Sequence, residues 1–225
     1  MLDEQTISAL NAMKLFGMAK SFEERLNNPC SAELSHAEFL GLLVQDEKAY
    51  RDNQRLRRLL KNARLRMSAC LEDIDYRHPR GLNKQMLLDL SSTRWLDSAR
   101  NVLITGPTGV GKSYIACALG NFAARASYTV LYIRAPRLFE TLKQSRGDGS
   151  HIKTMNRFVK TQLLIIDDLL LTPLCDLERR DLLEIVEDRY LSGDGGHRQP
   201  MPHKRLVPQH RRSDPCRCNM RQALS

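Results

Sequence analysis

No run of about 20 apolar residues, the length a membrane-crossing helix needs, occurs in this 225-residue chain. The opening residues, Met1-Leu2-Asp3-Glu4-Gln5, are acidic and lack the apolar stretch of a secretion signal. Cysteine is sparse and dispersed, at positions 30, 70, 117, 175, 216 and 218. None of these spacings is that of a zinc ribbon; Cys216-Arg217-Cys218 is too tight and has no second pair. A membrane span and a structural zinc site are therefore excluded, and a reduced, cytoplasmic protein is expected. Negative charge is in deficit too, with 35 Lys and Arg against 26 Asp and Glu for a formal charge of +9. An excess of that sign suits an acidic polymer as partner.

Glycine and proline are nearly missing from residues 1–75 apart from Asn27-Asn28-Pro29, so this stretch is expected to be helical. Leu10, Met13, Leu15, Met18, Phe22 and Leu26 supply the apolar face of a first helix. Ser35, with Glu38 three residues on, forms a capping-box pattern that opens a second helix. Within residues 48–67 the apolar residues Leu56, Leu59, Leu60, Ala63 and Met67 recur at helical spacing. The remaining surface of that stretch carries Lys48, Arg51, Arg55, Arg57, Arg58, Lys61, Arg64 and Arg66 against one acid, Asp52. A solvated helix face ordinarily mixes signs, because like charges repel; one-sided charge over several turns favours a phosphate backbone as partner. Residues 76–97 read as a linker followed by a helix, with Pro79 and Gly81 closing the helical region.

Beyond residue 97 the apolar period changes. The runs 101–105, 129–133 and 162–166 are short and apolar, as buried strands are, and helical segments (114–125 and 136–144) lie between the strands. Strands alternating with helices predict an α/β fold with a parallel sheet across residues 98–190. Between the first strand and its helix lies Gly106-Pro107-Thr108-Gly109-Val110-Gly111-Lys112-Ser113, a complete G-x-x-x-x-G-K-[ST] P-loop. Its glycines allow backbone N–H groups to turn inward around phosphates, and the helix N-terminus adds unsatisfied donors. Lys112 would reach the β- and γ-phosphates of ATP, and the Ser113 hydroxyl would ligate Mg²⁺. Leu163-Leu164-Ile165-Ile166-Asp167-Asp168 has the Walker B form, an apolar strand delivering carboxylates at its end. Asp167 would serve Mg²⁺, and Asp168 would orient or deprotonate the attacking water.

In these and other segments the chain resembles the IstB-like transposition helper ATPases, AAA+ proteins related to DnaC-type helicase loaders. The resemblance is carried by residues 76–82 (YRHPRGL), 103–112 (LITGPTGVGK), 130–140 (VLYIRAPRLFE), 146–150 (RGDGS) and 163–174 (LLIIDDLLLTPL), with support from residues 13–26 and 47–66. It implies a P-loop NTPase core preceded by a small helical, DNA-associated domain. It further implies ATP and Mg²⁺ as cofactors, double-stranded DNA and a transposase as partners, and self-assembly into an oligomer. On this reading Gly106–Ser113 bind nucleotide, Asp167 serves the metal, Asp168 serves hydrolysis, and Arg55, Arg57, Arg58, Lys61, Arg64 and Arg66 grip DNA. A helicase loader shares the same core, and a remnant that binds DNA without hydrolysis is a third reading. A neighbouring transposase gene would decide the first alternative, and ATP-indifferent DNA binding the second.

The resemblance stops at Tyr190. Residues 191–225 hold four of the nine prolines, three of the six histidines and seven basic residues, without aromatics or periodicity. This composition predicts a disordered basic tail. A frameshift or internal deletion near codon 190 is the expected origin. The strand that should lie between the P-loop strand and the Walker B strand is then missing, and residues 205–207 are too short a run to replace it. Impaired ATPase activity follows as an expectation, because unpaired backbone groups at the centre of a sheet are costly. The sequence offers no defensible arginine finger; Arg189 merely sits near the break.

Overall fold

The computed structural model describes residues 2–27, 34–75, 82–169, 171, 173–192 and 204–206. The HPRG stretch at 78–81 and the tail at 193–203 and 207–225, read above as linker and disordered tail, lie outside the described residues. The architecture is α/β, a helical N-terminal region followed by a small parallel sheet flanked by helices.

The N-terminal region consists of α1 (Leu2–Ala12), α2 (Phe16–Leu26) and α3 (His36–Ala63). Sequence periodicity predicted one continuous helix where α1 and α2 stand. The chain breaks it at Lys14, whose φ of 61° is left-handed and cannot continue a right-handed helix. The apolar face is also used differently from expectation. Gly17, Ala19 and Ser21 are the buried residues of α2, while Met13 and Leu26 stay exposed. Small residues lie inward because α2 crosses α3 closely; a Cβ on Gly17 would meet the Tyr50 Cβ at 2.6 Å and the Glu47 Cα at 2.9 Å. Glu47, buried on α3, accepts from the backbone N–H groups of Gly17 (2.7 Å) and Met18 (3.0 Å). It thereby satisfies donors that the start of α2 cannot pair within the helix.

The capping box at Ser35 and Glu38 forms as the sequence predicts. Glu38 N–H donates to Ser35 Oγ at 3.3 Å, and Ser35 N–H donates to Glu38 Oε2 at 2.9 Å. Helix α3 then runs unbroken for 28 residues and ends at Arg64, whose φ is 51°. Its last turn enters the core, where Ala63 packs fully buried with Ala123, Ala124 and Val130. The helix expected over 82–97 is two pieces, α4 (Lys84–Leu90) and α5 (Arg94–Asp97). Trp95 is folded back between them, its indole N–H donating to Leu90 O at 2.9 Å.

The core elements are β1 (Val102–Ile104), α6 (Lys112–Arg125), β2 (Val130–Arg134), α7 (Ala135–Gly147), α8 (His151–Lys160), β3 (Leu163–Asp167) and α9 (Asp176–Ser192). Strand β2 pairs with β3 in parallel over five residues, from Val130–Leu163 to Arg134–Asp167. One buried cluster covers this pair with Leu138, Leu142, Phe158 and Ile185 from α7, α8 and α9, and a second covers it with Leu119, Trp95 and Leu87. Helix α9 is tied down by two arginines. Arg146 on α7 pairs with Asp181, which is buried. Arg189 donates to the carbonyls of Phe158 (2.8 Å), Val159 (3.3 Å), Thr161 and Gln162 (3.0 Å). Arg189 therefore caps the C-terminal end of α8 within its own chain, and burial lowers its pKa.

The tail does supply a strand. β4 (Lys204–Leu206) pairs with β1 in parallel, Val102 opposite Lys204 and Ile104 opposite Leu206. Residues 205–207 are expected to be too short a run to replace the strand between β1 and β3; Arg205 and Leu206 pair with β1 alone among the described strands. The two strand pairs form separate two-stranded sheets. Among the described residues, no strand is hydrogen-bonded to both β1 and β3.

Candidate functional site

The loop after β1 carries Gly109 at φ 86° and Gly111 at φ 95°. A side chain at such φ values is strained, so glycine is what allows the loop to curl. Gly111 is the N-cap of α6, and no side chain caps this helix start. Its first N–H groups therefore face the loop as ready anion donors. Lys112 lies across the same loop, its Nζ donating to the carbonyls of Gly106 (2.8 Å) and Pro107 (2.7 Å). Lys112 is thus folded back over the start of its own loop.

Ser113, one residue into α6, faces the end of β3. Its Oγ donates to Asp167 Oδ2 at 2.7 Å, joining two residues 54 positions apart in sequence. The same oxygen accepts from Tyr132 Oη at 2.5 Å, and Asp167 Oδ1 accepts the Asp168 N–H at 3.0 Å. Burial acts to raise the Asp167 carboxyl, but the Tyr132 and Ser113 hydroxyls, the Asp168 amide and the charge of Arg66 outweigh it. The group is held below its ordinary value and stays ionised. Tyr132 shifts the other way: burial first, then the bond to Asp167 and its charge, push the phenol well above its usual value.

Asp168 has φ 60°, which Asp tolerates better than most residues, and this conformation turns its carboxylate toward β2. There Arg134 Nε donates to its Oδ2 at 2.7 Å. The two carboxylates are thereby separated in role as well as position: Asp167 is turned onto the P-loop serine, and Asp168 onto an arginine.

The donor set suits a magnesium-bound nucleotide. Mg²⁺ is ordinarily held by one or two protein oxygens together with phosphates and waters, not by an all-protein cage. Accordingly, no group of three or more His, Cys, Asp and Glu able to hold a metal occurs among the described residues, whereas a hydroxyl and an ionised carboxylate stand side by side next to the loop.

The residues predicted to contact DNA fall into two places. Arg55, Arg57, Arg58 and Lys61 are exposed on α3 with Arg64 at its end, and none of the five is ion-paired among the described residues. Arg66, two residues past the helix, is exposed as well, but it lies near enough to hydrogen-bond Tyr132 and to act on Asp167 through its charge. Sequence reasoning did not single out Tyr132, Arg134 or the nucleotide-side placement of Arg66. The strand pattern that defined β2 carried the only signal, a polar-tipped residue inside an apolar run.

Residues 8–194 match the family described as IstB-like ATP binding protein. A candidate ATP-binding protein of insertion sequence IS1162 in Pseudomonas fluorescens is 46% identical over 190 residues, which are 84% of this chain and 82% of that protein. A candidate insertion-sequence ATP-binding protein of Sinorhizobium fredii is 48% identical over 190 residues, covering 84% and 78% of the two chains. One from Mycobacterium tuberculosis is 34% identical over 186 residues, covering 83% and 74%.

Proposed function

The chain belongs to the IstB-like ATP binding protein family, and from that premise we propose how it works as an insertion-sequence helper: it takes up ATP with Mg²⁺ at the P-loop and cooperates with a transposase on double-stranded DNA. The observation that carries this reading is the 2.7 Å contact between Ser113 and Asp167. It brings the P-loop hydroxyl and the Walker B carboxylate into one site from opposite ends of the core.

Gly106–Gly111 and the α6 N-terminus offer backbone N–H donors to the phosphates. Lys112 exchanges its two carbonyl partners for phosphate oxygens, gaining charge-assisted bonds. Ser113 and Asp167 would hold the Mg²⁺, which would offset the charge that develops on the phosphates. Asp168 orients the attacking water once its contact with Arg134 opens. We further propose that hydrolysis by this chain is weak. Support comes from the sheet, in which no described strand bridges β1 and β3, so the two halves of the site share no described strand.

The exposed, unpaired basic residues of α3 support a DNA phosphate contact, and self-assembly on DNA belongs to the same reading. Duplex binding followed by fluorescence anisotropy at several salt concentrations tests it. If Arg55, Arg57, Arg58, Lys61, Arg64 and Arg66 all meet phosphates, log affinity falls against log salt with a slope of about −5. A flat salt response removes DNA from the proposal. Affinity that ignores ATP favours the non-hydrolysing remnant, and robust DNA-stimulated hydrolysis overturns the proposed weakness. Co-purification with the transposase, as against a replicative helicase, separates the helper from the loader.

A further inference from the structure

We infer that Tyr132 is a positioning residue for the metal site, holding the Asp167 carboxylate in the orientation that Mg²⁺ requires; this rests on the reading of Asp167 given above.

Tyr132 is the third residue of β2 and stands in register with Ile165 of β3, two residues before Asp167. Its side chain is buried, inside a cluster that Leu119, Trp95 and Ile115 also line. A phenylalanine would fill the same space, so packing accounts for the ring and not for the hydroxyl. The hydroxyl is 2.5 Å from Asp167 Oδ2, and a buried tyrosine ordinarily needs such a partner.

The choice of partner is what matters. Asp167 Oδ2 accepts from both Tyr132 and Ser113, while Oδ1 accepts the Asp168 amide. Three donors from three elements fix the plane of one carboxylate. Of these, Ser113 is itself a proposed metal ligand and the Asp168 amide holds only the far oxygen. Tyr132 is therefore the group that keeps Oδ2 in place when Ser113 turns to the ion. Groups of this kind, one bond removed from a metal, typically change metal affinity by 10- to 100-fold. A line of hydrogen bonds thus runs from Tyr132 through Asp167 to the P-loop serine.

Tyr132→Phe removes the hydroxyl and leaves the ring. The measurement is anisotropy of a fluorescent ATP analogue titrated with MgCl₂, alongside the melting temperature, for wild type, Tyr132→Phe and Asp167→Ala. The expected result for Tyr132→Phe is a rise of about tenfold in the Mg²⁺ concentration giving half-maximal binding, with Mg²⁺-free nucleotide binding unchanged. If Asp167→Ala abolishes the Mg²⁺ dependence while Tyr132→Phe leaves it in place, even with a lowered melting temperature, Tyr132 is structural and the inference alone fails. If Asp167→Ala also leaves the Mg²⁺ dependence intact, the assignment of Asp167 falls and takes the inference with it. A Tyr132→Phe chain that does not fold would make the hydroxyl structural and overturn the inference.

Discussion

The two strand pairs of this protein support one nucleotide site unequally. β2 and β3 pair over five residues and lie between two buried clusters. β1 and β4 pair over three, and Leu103 in the middle of β1 is 42% exposed. The firm pair carries Tyr132, Arg134, Asp167 and, just beyond its end, Asp168. The thin pair carries the loop proposed to face the phosphates. They are joined by α6, which starts in the P-loop and packs along β3, by the cluster on which Val102 and Ile104 pack with Tyr132 and Ile165, and by the bond from Ser113 to Asp167. Elements with few buried contacts open locally at lower cost than those with many. The carboxylate half of the site is therefore a fixed reference, and the phosphate half is the part expected to move against it.

Substitutions on each side test that difference. Leu138, fully buried on α7 over the firm pair, should cost about 2–5 kcal/mol on replacement by alanine, measured by urea unfolding. Leu103→Ala on β1 should cost well under half as much, and equal losses would erase the contrast. Lys112→Ala should weaken ATP binding by about 10- to 100-fold, the value of a charge-assisted contact, as measured by titration calorimetry. The apo melting temperature should hardly change, since Lys112 bonds only two exposed carbonyls. Unchanged affinity would remove Lys112 from the phosphate site.

Gly120 sits at the join. A Cβ there would come within 2.8 Å of Leu65 Cδ2 and 2.9 Å of Ile165 Cδ1. Both are the far ends of side chains that can shift, so Gly120→Ala should cost about 1–2 kcal/mol; a neutral result would mean that α6 is free to slide on β3. The smallest effect expected is from removing residues 193–225. Loss of β4 should reduce stability by about 1 kcal/mol and speed amide exchange at Val102–Ile104 while leaving Val130–Arg134 protected. Unchanged exchange at β1 would show that β4 gives it no support.

Features encoded in neighbouring residues were legible. The P-loop is a contiguous octapeptide between a strand and a helix, the Ser35–Glu38 box spans four residues, and β3 announces itself as an apolar run ending in acids. The relations that depend on register or on a turn were not. Tyr132 is an ordinary strand tyrosine until β2 is aligned with β3, when its hydroxyl reaches a carboxylate on the neighbouring strand. Arg66 read as one more charge on a basic helix, but the left-handed residue Arg64 ends that helix and redirects the chain. Glu47 gave no local signal, because its partners are backbone amides 29 and 30 positions away. Helices α8 and α9 were passed over, and part of their cohesion comes from Arg146 and Arg189, whose partners lie 27 to 35 residues away.

Helix α3 is a rod of 28 residues, about 42 Å long at 1.5 Å per residue. It is seated at one end, where Ala63 is wholly enclosed by α6 and β2 residues, and α2 is clipped to it through Glu47 and Asp46. Such an arrangement amplifies displacement. A tilt of 5° about the seated end carries the opposite end about 4 Å, more than a hydrogen bond's length. Because the seat lies three residues before Arg66, angular play too small to disturb the core is still converted into a stroke at the tip of the arm.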